Sequence, residues 1–309
     1  MLDDAHHQQI LKWNSKLPSP PETSVHDQVH DQALQRPDDN AVCGWDGSLS
    51  FHELDGFATR LAQAIRKLGS GKGSFVPFCF EKSTWAIVAM LGILKSGAAL
   101  VPLDPAYPTD RSQEIIQRTQ ATFVLTSRAC QSLFPFTQTM TVSRETVESQ
   151  PVCQRLDHTS TDTGKADPAY VYFTSGSTGR PKGVVILHQS FTLSMLGCID
   201  RLRLNSSTRM LQFTSYTFDP ALMEIFSPLY AGGCVCVPSP TQRIEGIADF
   251  MTSMEVNAAF FTPTFLKTIK PQTLPRLHSL LIGGEPLNDG CIAEWADNTY
   301  AVNGYGPTE

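Results

Sequence analysis

The 309-residue sequence has no excess of positive charge: 24 lysines and arginines stand against 30 aspartates and glutamates, a net charge of −6. That balance gives no general attraction to the nucleic-acid backbone or to anionic lipid, so neither nucleic acid nor membrane is expected as a partner. Long apolar runs are missing too. The longest, Ala86 to Leu94, falls far short of the ~20 residues that cross a bilayer. The first residues, Met1-Leu2-Asp3-Asp4, lack the basic-then-apolar order of a secretory signal, and a cytoplasmic location is expected. Cysteine forms no C-x-x-C pair and has no histidine at metal spacing; Cys43, Cys79, Cys130, Cys153, Cys198, Cys234, Cys236 and Cys291 are scattered. They read as reduced, mostly buried thiols, and Cys234 and Cys236 have the period-two spacing of one strand face. Neither disorder nor a fibre fits a chain that is 41% hydrophobic with only 21 each of glycine and proline.

What the chain does have is alternation. Ser50 and Glu53 have capping-box spacing, and Leu54, Phe57, Leu61, Ile65 and Leu68 recur at helical spacing until Gly69, which predicts a helix there. A strand follows at Phe75 to Phe80, then an almost wholly apolar helix from Thr84 to Lys95 ended by Gly97. A strand at Ala99 to Leu103, a helix from Asp110 to Thr119 and a strand at Thr122 to Thr126 continue the pattern. Residues 127 to 167 are polar and read as surface connection with one short strand. Further strands are expected at Tyr170 to Phe173, Met210 to Phe213, Cys234 to Val237, Ala258 to Phe261, Leu277 to Ile282 and Tyr300 to Val302, the later ones separated by amphipathic helices. Strand, helix, strand order implies parallel sheets with helices on their faces. The expected fold class is α/β, with two layered αβ subdomains of largely parallel sheets joined near residues 130 to 190. Residues 1 to 24, polar and proline-rich, are expected to form an extended linker.

The segment Thr174-Ser175-Gly176-Ser177-Thr178-Gly179-Arg180-Pro181-Lys182-Gly183 carries the densest chemistry. Its glycines let backbone N–H groups turn toward an anion, its hydroxyls add donors, and Lys182 adds a compact positive charge. That combination suits phosphate; a surface turn shares the composition but not this order. It is not a Walker loop, because Gly179 is followed by Arg180-Pro181 and Lys182 by Gly183. A dinucleotide-binding G-x-G-x-x-G is missing as well, which disfavours hydride transfer.

Ala169 to Gly183 (AYVYFTSGSTGRPKG) resembles the phosphate loop of the adenylate-forming superfamily, which includes acyl-CoA synthetases, luciferases and the adenylation domains of nonribosomal peptide synthetases. Leu49 to Leu54 (LSFHEL), Leu94 to Asp104 (LKSGAALVPLD), Phe218 to Ala221 (FDPA) and Asn303 to Glu309 (NGYGPTE) resemble that family's first, second, fourth and fifth core motifs, in order. Trp13-Asn14 and Val25-His26 resemble the linker entering such domains in fungal-type synthetases. The resemblance therefore spans essentially the whole chain, with residues 1–24 as linker and 25–309 as an AMP-binding core of subdomains at about 25–185 and 186–309. It implies an adenylation domain that activates an amino acid with ATP and Mg²⁺, and that in a complete enzyme serves a phosphopantetheinyl carrier domain.

Residue by residue, the resemblance assigns Thr174, Ser175, Gly176, Ser177, Thr178, Gly179 and Lys182 to the ATP phosphates. Gly283, Gly284, Glu285, Asn303, Tyr305, Thr308 and Glu309 fall at the adenine and metal end. There Tyr305 would stack on the base, Thr308 bond a phosphate and Glu309 hold Mg²⁺, a hard cation that suits a carboxylate. Asp219 matches the aspartate that pairs with a substrate α-ammonium group, which favours amino acids over the acids of acyl-CoA-synthetase-like ligases. Before Pro220 it also suits a helix N-cap, and one oxygen can serve each purpose. The matched pocket positions are Asp219, Pro220, Met223, Phe260, Leu281, Gly283 and Gly304. Only Asp219 is charged, and glycines at two walls leave room for a ring, so a bulky, neutral, aromatic amino acid is expected unless both glycines serve backbone geometry alone. In the family the ribose-binding aspartate, the hinge and the mobile C-terminal domain with its catalytic lysine lie downstream of the fifth motif. Because the sequence given stops at Glu309, impaired catalysis is expected, with a non-catalytic ligand- or partner-binding remnant as the alternative.

Overall fold

The structure is a computed structural model that describes residues 3–13, 15, 19, 21, 23–150, 163–175, 181–287, 289–306 and 308. Its strands run in chain order from β1 (Asn40–Gly44) and β2 (Gly47–Ser50), a hairpin, to two sheets. β3 (Phe75–Cys79), β4 (Ala99–Pro102), β5 (Phe123–Thr126), β6 (Gln138–Thr141), β7 (Pro168–Ser175) and β8 (Pro181–Leu187) form a sheet of order β6-β5-β3-β4-β7-β8. β9 (Arg209–Leu211), β10 (Cys234–Val237), β11 (Ala258–Phe261), β12 (Ser279–Gly283) and β13 (Tyr300–Gly304) join the hairpin in the second, of order β13-β12-β11-β9-β10-β1-β2. Pairing is antiparallel in β1–β2 and β7–β8 and parallel elsewhere. This is the expected α/β class with mostly parallel sheets.

The helices used below are α1 (Asp4–Trp13), α2 (Val25–Gln35), α3 (Phe51–Lys67), α4 (Thr84–Ser96), α5 (Thr109–Thr119), α6 (Arg144–Glu148), α7 (His188–Leu202) and α8 (Pro220–Tyr230). α3 starts as its sequence requires: the Glu53 N–H donates to the Ser50 hydroxyl at 3.2 Å, and Glu53 accepts from the Ser50 N–H at 3.0 Å. α4 begins on the Ser83 hydroxyl and ends where Gly97 adopts φ 87°, and only Trp85 and Lys95 along it escape full burial. A helix apolar all round must be covered all round.

The strands show how it is covered. Val42, Phe78, Leu100, Leu125, Val235 and Val237 belong to one central cluster with α2, α3, α4, α7 and α8, while their neighbours Cys43, Cys79, Val101, Val124, Cys234 and Cys236 pack into two outer clusters. Period-two alternation thus gives each sheet one face toward a shared helical layer and one toward its own outer helices. At Gly92 in α4 an added Cβ would stand 2.9 Å from Leu61 Cδ2, so α3 and α4 approach closely there. The two layered αβ subdomains thus share their middle layer, the two sheets sandwiching common helices.

Several elements differ from the sequence reading. Residues 4–13 form an exposed helix where an extended linker was expected, because the prolines begin only at Pro18 and leave α1 uninterrupted. The β1–β2 hairpin and β8 were not expected. β1 and β2 are short, and β8 opens with Pro181 and Gly183, residues that usually punctuate strands. Sheet membership does not follow one cut in the chain, since Asn40–Ser50 joins the sheet of β9 to β13. Cys43, Cys79, Cys130, Cys234 and Cys236 are buried free thiols and Cys198 is half-buried. Cys153 lies outside the described residues, as does the side chain of Cys291. Among the described residues no helix is long and apolar enough to cross a membrane.

Candidate functional site

Chain order reverses across β9, with β10 on one side of it and β11 on the other. In an open parallel sheet such a reversal leaves a crevice beyond the carboxyl ends of the strands, where ligands bind. The segments leaving β9, β11, β12 and β13 bring Asp219, Thr262, Gly283 to Glu285, and Gly304 with Tyr305 to that edge.

Asp219 directly precedes α8 with helical angles (φ −54°, ψ −33°), makes no side-chain cap bond, and is followed by Pro220 at the first helical turn. The N-cap use that the sequence allowed is not made. Pro220 has no N–H to satisfy and a φ already suited to a helix, so the turn starts without that bond. Burial raises the pKa of the half-buried Asp219 carboxyl against a smaller lowering by its own backbone N–H, and among the described residues no cation offsets it. A carboxylate desolvated in this way is stabilised by any positive charge that reaches it.

The walls around it are apolar. Met223 and Phe260 are buried, Leu281 is half-buried, and the more exposed Phe218 ring lies 6.4 Å from Phe260, edge-on. Gly283 pairs with Gly304 across β12 and β13. A Cβ on Gly283 would stand 2.5 Å from the Gly304 carbonyl oxygen, and one on Gly304 would stand 3.0 Å from Leu281 Cδ1. Gly283 is therefore demanded by the neighbouring backbone, whereas Gly304 is crowded only by the end of the Leu281 side chain. Gly284 has φ 82°, a backbone region open chiefly to glycine. The exposed Glu285 carboxylate accepts from the Thr264 N–H at 3.0 Å, and bonding from Thr264 holds its pKa below the ordinary range. Asn303 and Tyr305 are exposed, the Tyr305 ring fully, and Thr308 is half-buried. Glu309 lies outside the described residues, and among the described residues no group of three or more His, Cys, Asp or Glu could hold a metal ion.

The phosphate-type loop joins β7 to β8, whose antiparallel ladder sets Thr174 opposite Lys182 and Ser175 opposite Pro181. Thr174 is half-buried and Lys182 exposed; Gly176, Ser177, Thr178 and Gly179 lie outside the described residues, as does the side chain of Ser175. The Tyr172 hydroxyl on β7 donates to the carbonyl oxygen of Tyr216 at 3.0 Å and lies 3.5 Å from that of Phe218. The strand entering the loop and the segment presenting Asp219 are thereby tied together, although they belong to different sheets.

Beside them, at the carboxyl ends of β3 and β4, an open cavity of about 340 Å³ is bordered by Lys82, Asp104, Ser215, Thr217 and Arg243. Asp104 accepts from the hydroxyls of Ser215 at 3.3 Å and Thr217 at 3.4 Å. Sequence reasoning passed over two buried charges here, Lys82 and Glu224. The available signal was Glu224 alone inside the apolar stretch Ala221 to Phe226; Lys82, beside Glu81 at the end of the run Phe75 to Phe80, carried none of its own.

Comparison with known proteins adds an independent line. The AMP-binding enzyme family matches residues 29–309. Nonribosomal peptide synthetase 1 of Aspergillus fumigatus is 40% identical over 308 residues, which is 97% of this chain and 5% of that protein. The chain thus spans a small part of the curated relative it matches. Among solved structures, the nonribosomal peptide synthetase FmoA3 in its AMPPNP-bound form superposes with a TM-score of 0.89 at 24% identity, over 99% of this chain and 34% of its own. The N-terminal subdomain of Klebsiella oxytoca NpsA, in complex with 3-hydroxybenzoyl-AMSN, gives a TM-score of 0.79 at 22% identity, over 93% of this chain and 73% of its own. The architecture derived above is that of such an N-terminal subdomain.

Proposed function

We propose a function from one premise: the chain belongs to the AMP-binding enzyme family. The reading is ATP-dependent activation of an amino acid as its aminoacyl adenylate, within nonribosomal peptide synthesis. Asp219 carries it. A desolvated carboxylate with no cation beside it among the described residues, at the strand edge where ligands collect and among apolar pocket positions, is what an α-ammonium group would complete. The substrate carboxylate would attack the α-phosphorus of ATP, forming an acyl–phosphate bond while the bond to pyrophosphate breaks.

This chain's residues act by placement and charge. Asp219 fixes the ammonium end. Thr174, Lys182 and the intervening loop residues Ser175 to Gly179 receive the phosphates, and Tyr305 with Gly283, Gly284 and Asn303 borders the adenine. Mg²⁺, assigned to Glu309 by the resemblance of residues 303–309 and consistent with its carboxylate, would neutralise triphosphate charge when bound. Met223, Phe260 and Leu281 support a bulky, neutral, aromatic side chain, since nothing among them would pair a second charge. The closeness of Gly283 and Gly304 to their neighbours withdraws the two glycines as support for a ring-sized space. A phosphopantetheinyl carrier domain is the proposed recipient, and the cytoplasm the proposed location.

Amino-acid-dependent exchange of pyrophosphate into ATP, screened over the common amino acids in a full-length version of the enzyme, tests the reading. Large neutral amino acids are expected to lead, and Asp219→Ala to abolish exchange with ATP binding intact. A lead for Asp, Lys or Gly would sink the substrate assignment, and undiminished exchange by Asp219→Ala the reading itself. Lys182→Ala is expected to weaken ATP binding by calorimetry.

A further inference from the structure

Asp219 ends a segment gripped from both sides. Glu224, fully buried on α8, takes four donors: Oε2 accepts from the N–H groups of Phe213 and Thr214, each at 3.0 Å, and from Gln212 Nε2 at 2.9 Å, and Oε1 accepts from the Thr214 hydroxyl at 2.5 Å. All four lie upstream of Asp219, so these bonds close residues 213 to 224 into a ring with Asp219 inside it. From the other sheet, the buried Lys82 just beyond β3 donates to Gln212 Oε1 at 2.7 Å and to the Thr214 carbonyl oxygen, with its ammonium 4.2 Å from the centre of the Tyr216 ring. The amide of Gln212, itself fully buried, is thereby held by Lys82 at its oxygen and by Glu224 at its nitrogen.

Two buried charges are a costly way to stabilise a core; apolar groups of similar size usually do as well or better. Burial pulls the Lys82 ammonium below its ordinary range and pushes the Glu224 carboxyl above its own, so each depends on these partners to stay charged. What a fully bonded polar network supplies instead is a fixed geometry.

We propose that Glu224 and Lys82 are positioning residues for Asp219, clamping residues 212 to 219 from the two layers so that the carboxylate meets the substrate ammonium. The inference rests on the amino-acid reading of Asp219 given above. It predicts that loosening the clamp costs recognition of the ammonium group and little else.

Two ligands isolate that contact: a sulfamoyl adenosine carrying L-phenylalanyl, and its 3-phenylpropanoyl counterpart, which lacks only the amino group. Both are titrated by calorimetry into the full chain as wild type, Asp219→Asn, Glu224→Gln and Lys82→Met. Wild type is expected to prefer the aminoacyl ligand by about tenfold or more, the scale of one charge-assisted hydrogen bond, and Asp219→Asn to lose that preference. Glu224→Gln and Lys82→Met are expected to cut it to about threefold or less while affinity for the other ligand stays within about twofold. Lys82→Met leaves every Glu224 bond in place, so it stands as the test should Glu224→Gln fail to fold. A general structural defect would weaken both ligands alike; an unchanged preference in folded variants overturns the clamp. If wild type itself shows no preference, the amino-acid reading falls first and this inference with it. Binding of neither ligand by wild type overturns the adenylate reading on which both rest.

Discussion

Asp55 and Asp219 are both withdrawn from solvent, and they are treated in opposite ways. Asp55, on α3 in the shared helical layer, accepts from Lys95 Nζ at 2.5 Å and lies 3.0 Å from His30 Nδ1. Burial alone would raise its pKa, but bonding from His30 and the Lys95 charge outweigh that and lower it. For Asp219 burial also raises the pKa, and among the described residues nothing of that kind offsets it. An acid with its partners in place belongs to the scaffold; one without them there, at the edge proposed to bind ligand, is open to a cation from outside. The difference separates the seam between the layers, built to be complete, from the carboxyl edge, built to be completed.

The largest effect should come from breaking the seam. Asp55→Ala would leave Lys95 buried without its counter-charge, and urea unfolding should show a loss of about 3 to 5 kcal/mol. Next comes acid. His26 of α2 and His188 of α7, both buried, meet edge to face with ring centres 5.4 Å apart. Burial lowers both, His188 to about 4, with Asp27 and Asp167 opposing the shift and Lys95 and Arg66 adding to it at His26. The unfolded chain takes up these protons near pH 6.5, so stability should be intact above that value and fall as pH drops below it. His188 alone accounts for about 3 kcal/mol by pH 4, visible as a falling urea midpoint. A flat midpoint between pH 7 and pH 4.5 would show that the seam admits water.

A smaller effect sharpens the contrast within the edge. Gly283→Ala would press a methyl group into the Gly304 carbonyl and should cost about 1 to 3 kcal/mol, whereas Gly304→Ala meets only the end of the Leu281 side chain and should cost less. Equal costs would mean that these strands can part. The smallest effect is expected at Asp219 itself. Asp219→Asn should leave the unfolding midpoint within about 0.5 kcal/mol of wild type while removing the ammonium preference. A large loss of stability there would erase the distinction from Asp55.

How much of this was legible follows from the range of the forces involved. The α3 cap, the α4 boundaries and the strands β3 to β5 were readable because caps, glycine stops and periodicity act within a few residues of one another. The order of residues singled out Asp219 and the loop from Thr174 to Lys182 through a known pattern, and their roles stand as proposed. Lys82 and Glu224 were not singled out, since a buried charge acquires meaning only from its partner, and Lys82 reaches Gln212 across 130 residues. The shared helical layer escaped for the same reason: periodicity shows that a helix has an apolar surface, not which sheet will cover it. Nor could the glycines at 283 and 304 be separated into space-makers and packing necessities before β12 and β13 were seen side by side.

The β1–β2 hairpin gives the fold a timetable. Val42 pairs with Leu49 within the hairpin and with Val235 on its other side, so on that side the first strand of the sheet that presents Asp219 waits for a partner made about 190 residues later. At about 5 to 20 residues per second, a nascent chain carries that hairpin for roughly 10 to 40 s with one strand edge unpaired. During that interval α3, whose cap and apolar stripe are encoded next to the hairpin, is the nearest shelter available to it. The edge that would receive the substrate is thus assembled late in synthesis on a strand made early, and a chain interrupted after the phosphate loop would leave the β10-facing edge of that strand without its partner.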